Sequence, residues 1–179
     1  MQKIRRGDQQ AFTILVDRYL EALHGFAQRI LGNPTDADDI VQETFLQVWR
    51  KASQWQPKQA ELSTWLHTIT HNLCMDFYRR NKGRETVDIT EVELVSPHQP
   101  AASRQQEDVA TQVEAALQQL PESQRSAIIL CHYKYMSNRE AAKVLDISVS
   151  ALESLMARGR RKLKKILQSQ MTDLLGDLE

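Results

Sequence analysis

Only two cysteines, Cys74 and Cys131, occur in 179 residues, and each sits in an apolar, helix-patterned context far from the other. That excludes a disulfide-stapled scaffold and a paired-cysteine zinc site, and it points to buried free thiols in a reducing compartment. No apolar run approaches membrane-spanning length. Residues 1–8 are polar and charged, unlike a secretory leader. A cytoplasmic protein without membrane insertion is therefore expected. A glycine-rich phosphate loop, a nucleophile elbow and any catalytic constellation are missing too. A binding protein is favoured over an enzyme, with no cofactor, metal or small-molecule substrate implied. Net charge is also lacking: 23 basic residues balance 23 acidic ones.

What is present is charge segregation in an ordinary folded composition, 41% apolar and 26% charged. Asp36, Asp38, Asp39 and Glu43 lie between Thr35 and Trp49 with no base among them. Arg158, Arg160, Arg161, Lys162, Lys164 and Lys165 lie between Ser148 and Ser169, where Glu153 is the sole acid. Such separation suggests two partner surfaces rather than one nucleic-acid coat.

The basic run ends the most informative stretch, 137–167. Ser137 and Glu140 form a capping-box pattern, and Ala141, Ala142, Val144 and Leu145 give a small apolar face. Asp146, Ile147 and Ser148 make a short turn, with Ser148 a good cap for a second helix. Val149, Leu152, Met156, Leu163 and Leu167 recur at near-helical spacing and are expected to face a core. The layout is a helix-turn-helix, whose second helix enters the major groove. A plain helical hairpin with a solvated basic end is the alternative.

Upstream, 11–31 reads as an amphipathic helix with Phe12, Leu15, Val16, Tyr19, Leu23, Phe26 and Ile30 inward, ended by Gly32, Asn33 and Pro34. Thr35 is expected to cap a second helix. Its buried stripe is Val41, Phe45, Val48 and Ala52, and its outer face carries Asp38, Asp39, Gln42 and Glu43: a docking face for a basic partner, or simply a solvated one. Pro57 breaks the pattern. Ser63 is expected to cap a third helix to about Arg80, with Leu66, Ile69, Leu73 and Phe77 inward and His67, His71, Asn72 and Asp76 outward. Those polar groups, the cations Arg79, Arg80, Lys82 and Arg84, and Trp55 and Trp65 suit single-stranded nucleic acid; an ordinary core helix with a basic end is the alternative. His67, His71 and Cys74 fall at i, i+4 and i+7, but no fourth ligand stands at a recognisable spacing, so a polar face is preferred to a metal site. Residues 83–108, with Ser96-Pro97, Gln99-Pro100 and the early acids Asp88, Glu91 and Glu93, read as a linker, mostly extended or disordered. A helix from Val109 to Leu120 follows, with Val109, Val113, Ala116, Leu117 and Leu120 on one side. Another runs from Glu122 to Tyr135 with Ile128, Cys131 and Tyr135 inward, and Pro121 suits its first position.

The run from Asp36 to Trp49, DADDIVQETFLQVW, resembles the core-polymerase-binding helix of bacterial extracytoplasmic-function sigma factors, of the sigma-70 family. Leu120-Pro121 leading to Arg125 and the helix-turn-helix resembles the same family's promoter-binding domain. Ser63-Thr64-Trp65-Leu66 with Ile69 and Asn72 is a third match, in the family's order. The resemblance implies an all-α protein: a domain over 1–82 that binds core and opens the −10 element, a flexible linker over 83–108, and a domain over 109–179 that reads the −35 element. It implies core-binding roles for Asp36, Asp38, Asp39, Gln42, Glu43, Phe45 and Trp49, against the clamp helices of the β′ subunit. It implies −10 contacts from Ser63, Thr64, Trp65, His67, Thr68, His71, Asn72, Asp76, Arg79 and Arg80, with Asn72 holding an extruded base. It implies −35 contacts from Ser148, Ser150, Glu153, Ser154, Ala157, Arg158, Arg161 and Lys162. An anti-sigma partner and a linker threading near the RNA exit path are further implications.

Three departures from the family pattern stand out. Glu153 replaces a frequent Lys or Arg, and either accepts from a cytosine amino group or pairs with a nearby Arg. Asp146 replaces the usual turn glycine. Gly159 lies inside the recognition helix, at a cost of about 1 kcal/mol relative to alanine. Two other classes fit part of the residues: a stand-alone dimeric helix-turn-helix regulator, which leaves the acidic helix unexplained, and a helical adaptor with a solubilising basic tail.

Overall fold

A computed structural model of the chain describes residues 1–56, 61–81, 101–134 and 136–176. Pro57, Lys82, Arg84, Asp88, Glu91, Glu93, Tyr135 and the stretch 83–100 lie outside the described residues. Those described form α-helices and no strand. They are α1 (Gln2–Arg5), α2 (Gln9–Leu31), α3 (Pro34–Arg50), α4 (Leu62–Asn81), α5 (Ala101–Gln118), α6 (Glu122–Ile128), α7 (Asn138–Leu145) and α8 (Val149–Gly176), with a π-helical turn at Ile129–Tyr133 after α6.

Local chemistry sets the ends. Asp8 caps α2 by accepting from the Ala11 N–H. Gly32 closes the same helix in the left-handed region at φ 78°. The cap of α3 is Asn33 rather than Thr35: its Oδ1 accepts from the Thr35 N–H at 2.8 Å and Pro34 takes the first helical position. Likewise α4 begins at Leu62, so Ser63 lies inside its first turn rather than at its cap. Before α7 the capping box is complete, with Ser137 Oγ accepting from the Glu140 N–H and the Glu140 carboxylate accepting from the Ser137 N–H. Asp146 takes the left-handed turn position at φ 53°, and Ser148 Oγ accepts from the Ala151 N–H to start α8. The short α1, absent from the sequence reading, buries Ile4, and Arg5 donates to the Ala52 and Trp55 carbonyls.

Two helical bundles result. In the first, α2, α3 and α4 pack around Leu23, Phe26, Ile30, Val48 and Leu66. In the second, α6, α7 and α8 enclose Ala141, Val144 and Leu152, and Leu117 of α5, with Leu120 just beyond its end, packs against Ile128. Val149 departs from expectation: it is exposed at the first turn of α8, before the helix reaches the core. The helix expected to begin at Val109 starts at Ala101, eight residues inside the stretch read as linker (101–108). Cys74 is buried and Cys131 half-buried, both as free thiols.

Gly159 is a close-approach position. A Cβ there would stand 2.8 Å from Ile128 Cδ1 and 3.3 Å from Gln124 Cβ, so the missing side chain lets α8 sit against α6. Gly159→Leu is expected to destabilise the protein by about 1–3 kcal/mol, against the gain helix propensity alone would give. Thermal melts check this; a raised Tm would show that the two helices do not meet there.

The bundles are packed on each other. α4 lies on α7, α2 meets α5, and one apolar cluster continues from Leu23 and Leu66 through Ala127, Ile129 and Leu130 to Leu152. Gln118 Nε2 donates to the Arg29 carbonyl at 2.9 Å, and its side chain fills the space over Gly32. The Arg29 guanidinium stacks over the Tyr133 ring at 4.6 Å and faces Glu114 at 3.6 Å. Arg125, buried, lies 5.4 Å over the Tyr78 ring and also donates to Gln118.

Candidate functional site

Three faces carry the residues singled out from sequence. The first is on α3. Asp38, Asp39 and Gln42 are exposed, Glu43 is half-buried, and the helix's buried stripe points the other way. Asp38 is engaged with His24 at 3.1 Å, and Arg50 faces Glu43 at the 4.0 Å limit of ion pairing. Asp36 is half-buried behind them; burial, and then the neighbouring Asp39, raise its pKa. Phe45 and Trp49 do not stand on this face. Phe45 is buried, and both rings pack edge-on against Phe12, at 6.4 and 4.9 Å. They line or back an apolar groove of about 330 Å³ formed by Phe12, Val16, Leu20, Val41, Phe45 and Leu46, with Asp38 and Gln42 at its rim. Leu20 and Leu46 are exposed there, at 45% and 43%. Sequence reading missed both; the signal was an apolar residue, Leu46, lying off the buried stripe of α3.

The second face is on α4, and the structure divides its ten expected residues. Asn72, Asp76, Arg79 and Arg80 are exposed in the second half of the helix. Arg79 pairs with Asp76 at 2.8 Å, and Arg80 Nε donates to the Asp76 carbonyl at 3.3 Å. This end shares a groove of about 930 Å³ with the α3 acids: Asp39, Glu43 and Gln47 on one wall, Asp76, Arg79 and Arg80 on the other. Ser63, Trp65 and Thr68 are half-buried. Thr64, His67 and His71 are buried, which corrects the outward placing of the two histidines. The cause is tertiary packing: His67 lies against Phe26 of α2, and His71 meets Ser126 of α6.

Both histidines are held neutral. The His67 Nδ1–H donates to the Ser63 carbonyl at 2.8 Å, and the ring sits edge-on to Phe26 at 5.2 Å. Burial lowers its pKa, only partly opposed by that bond, and nearby Lys134 lowers it further. His71 Nε2 meets Ser126 Oγ across the bundles at 3.3 Å, and burial pushes its pKa down to about 4. Cys74, behind them, is pushed up to about 12 by burial, an inert thiol rather than a ligand. Among the described residues no three His, Cys, Asp or Glu side chains converge on a point a metal could occupy.

The third face is on α8 and is open. Ser148, Ser150, Glu153, Ser154, Ala157, Arg158, Arg161 and Lys162 are all exposed, opposite the buried Leu152 and Met156. Steps of three and four residues put 150, 153, 154, 157, 158 and 161 along one stripe, the geometry of a helix that presents its first turns to base edges. Arg158 and Arg161 fold back, each Nε donating to a carbonyl four residues earlier, Ser154 and Ala157. Arg160, off this stripe, donates to His132 at 2.9 Å. No described helix is long and apolar enough to cross a membrane.

Known proteins resemble the chain along the segments that carry the three faces. The family model described as Sigma-70 region 2 matches residues 15–84, and that described as Sigma-70, region 4 matches residues 110–163. The ECF RNA polymerase sigma factor SigM of Mycobacterium tuberculosis is 33% identical, over 90% of this chain and 79% of its own. CnrH of Cupriavidus metallidurans, solved in complex with the cytosolic domain of CnrY, has a TM-score of 0.70 at 30% identity, covering 94% of each chain. The sigma factor RpoE, solved with the anti-sigma factor NepR from Bartonella quintana, has a TM-score of 0.70 at 25% identity, covering 89% of this chain and 98% of its own.

Proposed function

The chain belongs to the sigma-70 family of RNA polymerase sigma factors, in its extracytoplasmic-function branch, and on that premise we propose how its three faces act on core polymerase and promoter DNA. Their segregation supports the reading most: acids over an apolar groove on α3, polar groups and cations on α4, a polar and basic stripe on α8. A stand-alone regulator or an adaptor needs only one of these.

The α3 face seats on the clamp helices of the β′ subunit. Asp38, Asp39, Gln42 and Glu43 form a polar rim, and the groove at Leu20 and Leu46, backed by Phe45 and Trp49, forms the desolvated centre. Asn72, Asp76, Arg79 and Arg80 engage the −10 strand, with Ser63, Trp65 and Thr68 beside them. Extruding a base costs a few kcal/mol of unstacking, which a preformed pocket around Asn72 offsets selectively. His71, which meets Ser126 of the C-terminal bundle, reaches DNA only once that bundle has left α4, so separation of the bundles is a step in promoter opening. The α8 stripe reads the −35 duplex. The protein is thus an initiation factor rather than a catalyst, acting where polymerase works, in the cytoplasm. The RpoE–NepR likeness supports an anti-sigma partner for this chain too.

Promoter opening tests the α4 assignment. With core polymerase and a responsive promoter, Asn72→Ala is expected to reduce permanganate reactivity of −10 thymines by about tenfold, or 1.4 kcal/mol, with core binding unchanged. Equal reactivity would remove Asn72 from the base pocket.

A further inference from the structure

We propose that Glu153 selects a cytosine in the −35 element and that Asn138 is the residue that positions it. The inference rests on the −35 role of α8 and adds a base identity and a second residue to it.

Glu153 is exposed in the second turn of α8, on the stripe with Ser150, Ser154 and Ala157. Asn138 Nδ2 donates to Glu153 Oε1 at 3.3 Å. Asn138 makes a second contact. It is the first residue of α7, within the Ser137–Glu140 capping box, and its Oδ1 accepts from the Cys131 thiol at 3.9 Å. With the amide oxygen turned to Cys131, the amide nitrogen faces Glu153. Among the described residues no cation lies within ion-pairing distance of Glu153. The arginines further along the stripe, Arg158 and Arg161, donate to carbonyls of their own helix. One carboxylate oxygen is thus held and the other is free.

A carboxylate on a DNA-facing stripe repels phosphates, so it favours binding only where it meets a base-edge donor. The major groove offers two, the amino groups of cytosine and adenine. Adenine sets its N7 lone pair beside the amino group, which repels a second acceptor. Cytosine has only a C–H beside its own. Guanine and thymine present acceptors to a side chain that can only accept. A held carboxylate therefore distinguishes cytosine from the other three bases.

The test is transcription by holoenzyme, the full chain with core polymerase, from a promoter library randomised across the −35 segment, with transcripts sequenced. The wild type is expected to show one position enriched in cytosine by about tenfold. Glu153→Gln moves that position toward adenine, since an amide offers both the acceptor and the donor adenine pairs with. Glu153→Ala makes the position indifferent and leaves the others unchanged. Asn138→Ala weakens the cytosine preference several-fold without shifting it, an effect confined to one position that loss of structure would not produce. If Glu153→Ala raises output from every −35 sequence alike and alters no base frequency, the carboxylate only repels the backbone and the proposal is wrong. If the wild type yields no start sites on any template, the sigma reading fails and takes the proposal with it.

Discussion

Reversing one charge on α3, by Asp39→Arg, is expected to abolish start-site-specific transcription while leaving the fold intact. Asp39 is exposed, and the buried stripe of its helix, Ile40, Val41, Thr44 and Val48, lies on other sides. It stands beyond the first turn, where the helix dipole is little felt. Among the described residues no ion pair holds it, unlike Asp38 with His24. Arginine there costs little in stability. It does place a cation against the polymerase surface proposed to meet these acids, on the α3 wall of the groove shared with Asp76, Arg79 and Arg80. Close charge pairs across interfaces couple by about 1.5–7 kcal/mol, so tenfold loss of core binding is a lower expectation. Circular dichroism should match the wild type, and a pull-down with sigma-free core should lose the variant. Retention of full core binding would reduce the acidic face to a solvated one.

Acidification is the second large effect. His71 is neutral in the packed protein, with a pKa depressed by burial to about 4 from an ordinary 6.5. When a base is depressed in this way, the open or unfolded chain binds the extra proton first. The packed state is therefore at full strength above pH 6.5 and weakens as pH falls toward 4. Across that window His71 alone accounts for about 3 kcal/mol, with His67 shifted in the same direction. Lys134 lowers His67 further, whereas a hydrogen bond with Asn72 opposes the shift of His71 only in part. Urea unfolding at pH 7.5 and pH 5 should show the loss, and His71→Gln should remove most of it while keeping a hydrogen bond to Ser126. Equal pH slopes for wild type and variant would place the titration elsewhere. His71 meets Ser126 across the bundles, so the same protonation is expected to loosen the packing on α4, which buries Thr64, His67 and His71.

Those three residues mark where sequence reading stops. The acid pattern of α3, the capping box at Ser137, the turn at Asp146 and the stripe of α8 all rest on residues within five or so positions of one another, and they were legible. Asp146 tolerates its left-handed geometry as its chemistry allows, and Gly159 gained a reason the sequence could not supply, the approach of α6 more than thirty residues upstream. On α4 both histidines were misread because their cover comes from elsewhere in the chain: His67 lies against Phe26 of α2 and His71 meets Ser126 of α6. Leu20 and Leu46 were passed over because a groove is a property of two helices. The start of α5 at Ala101 was missed for a plainer reason: 101–108 is mostly polar, and polar residues carry no buried stripe to count.

The measurement that bears most directly on the whole account is run-off transcription by purified protein and sigma-free core polymerase on a library of genomic promoters. Defined start sites, sharing an upstream element and requiring both partners, are the predicted result. No start sites on any template, together with tight duplex binding by the protein alone, would contradict it and leave a stand-alone helix-turn-helix regulator in its place.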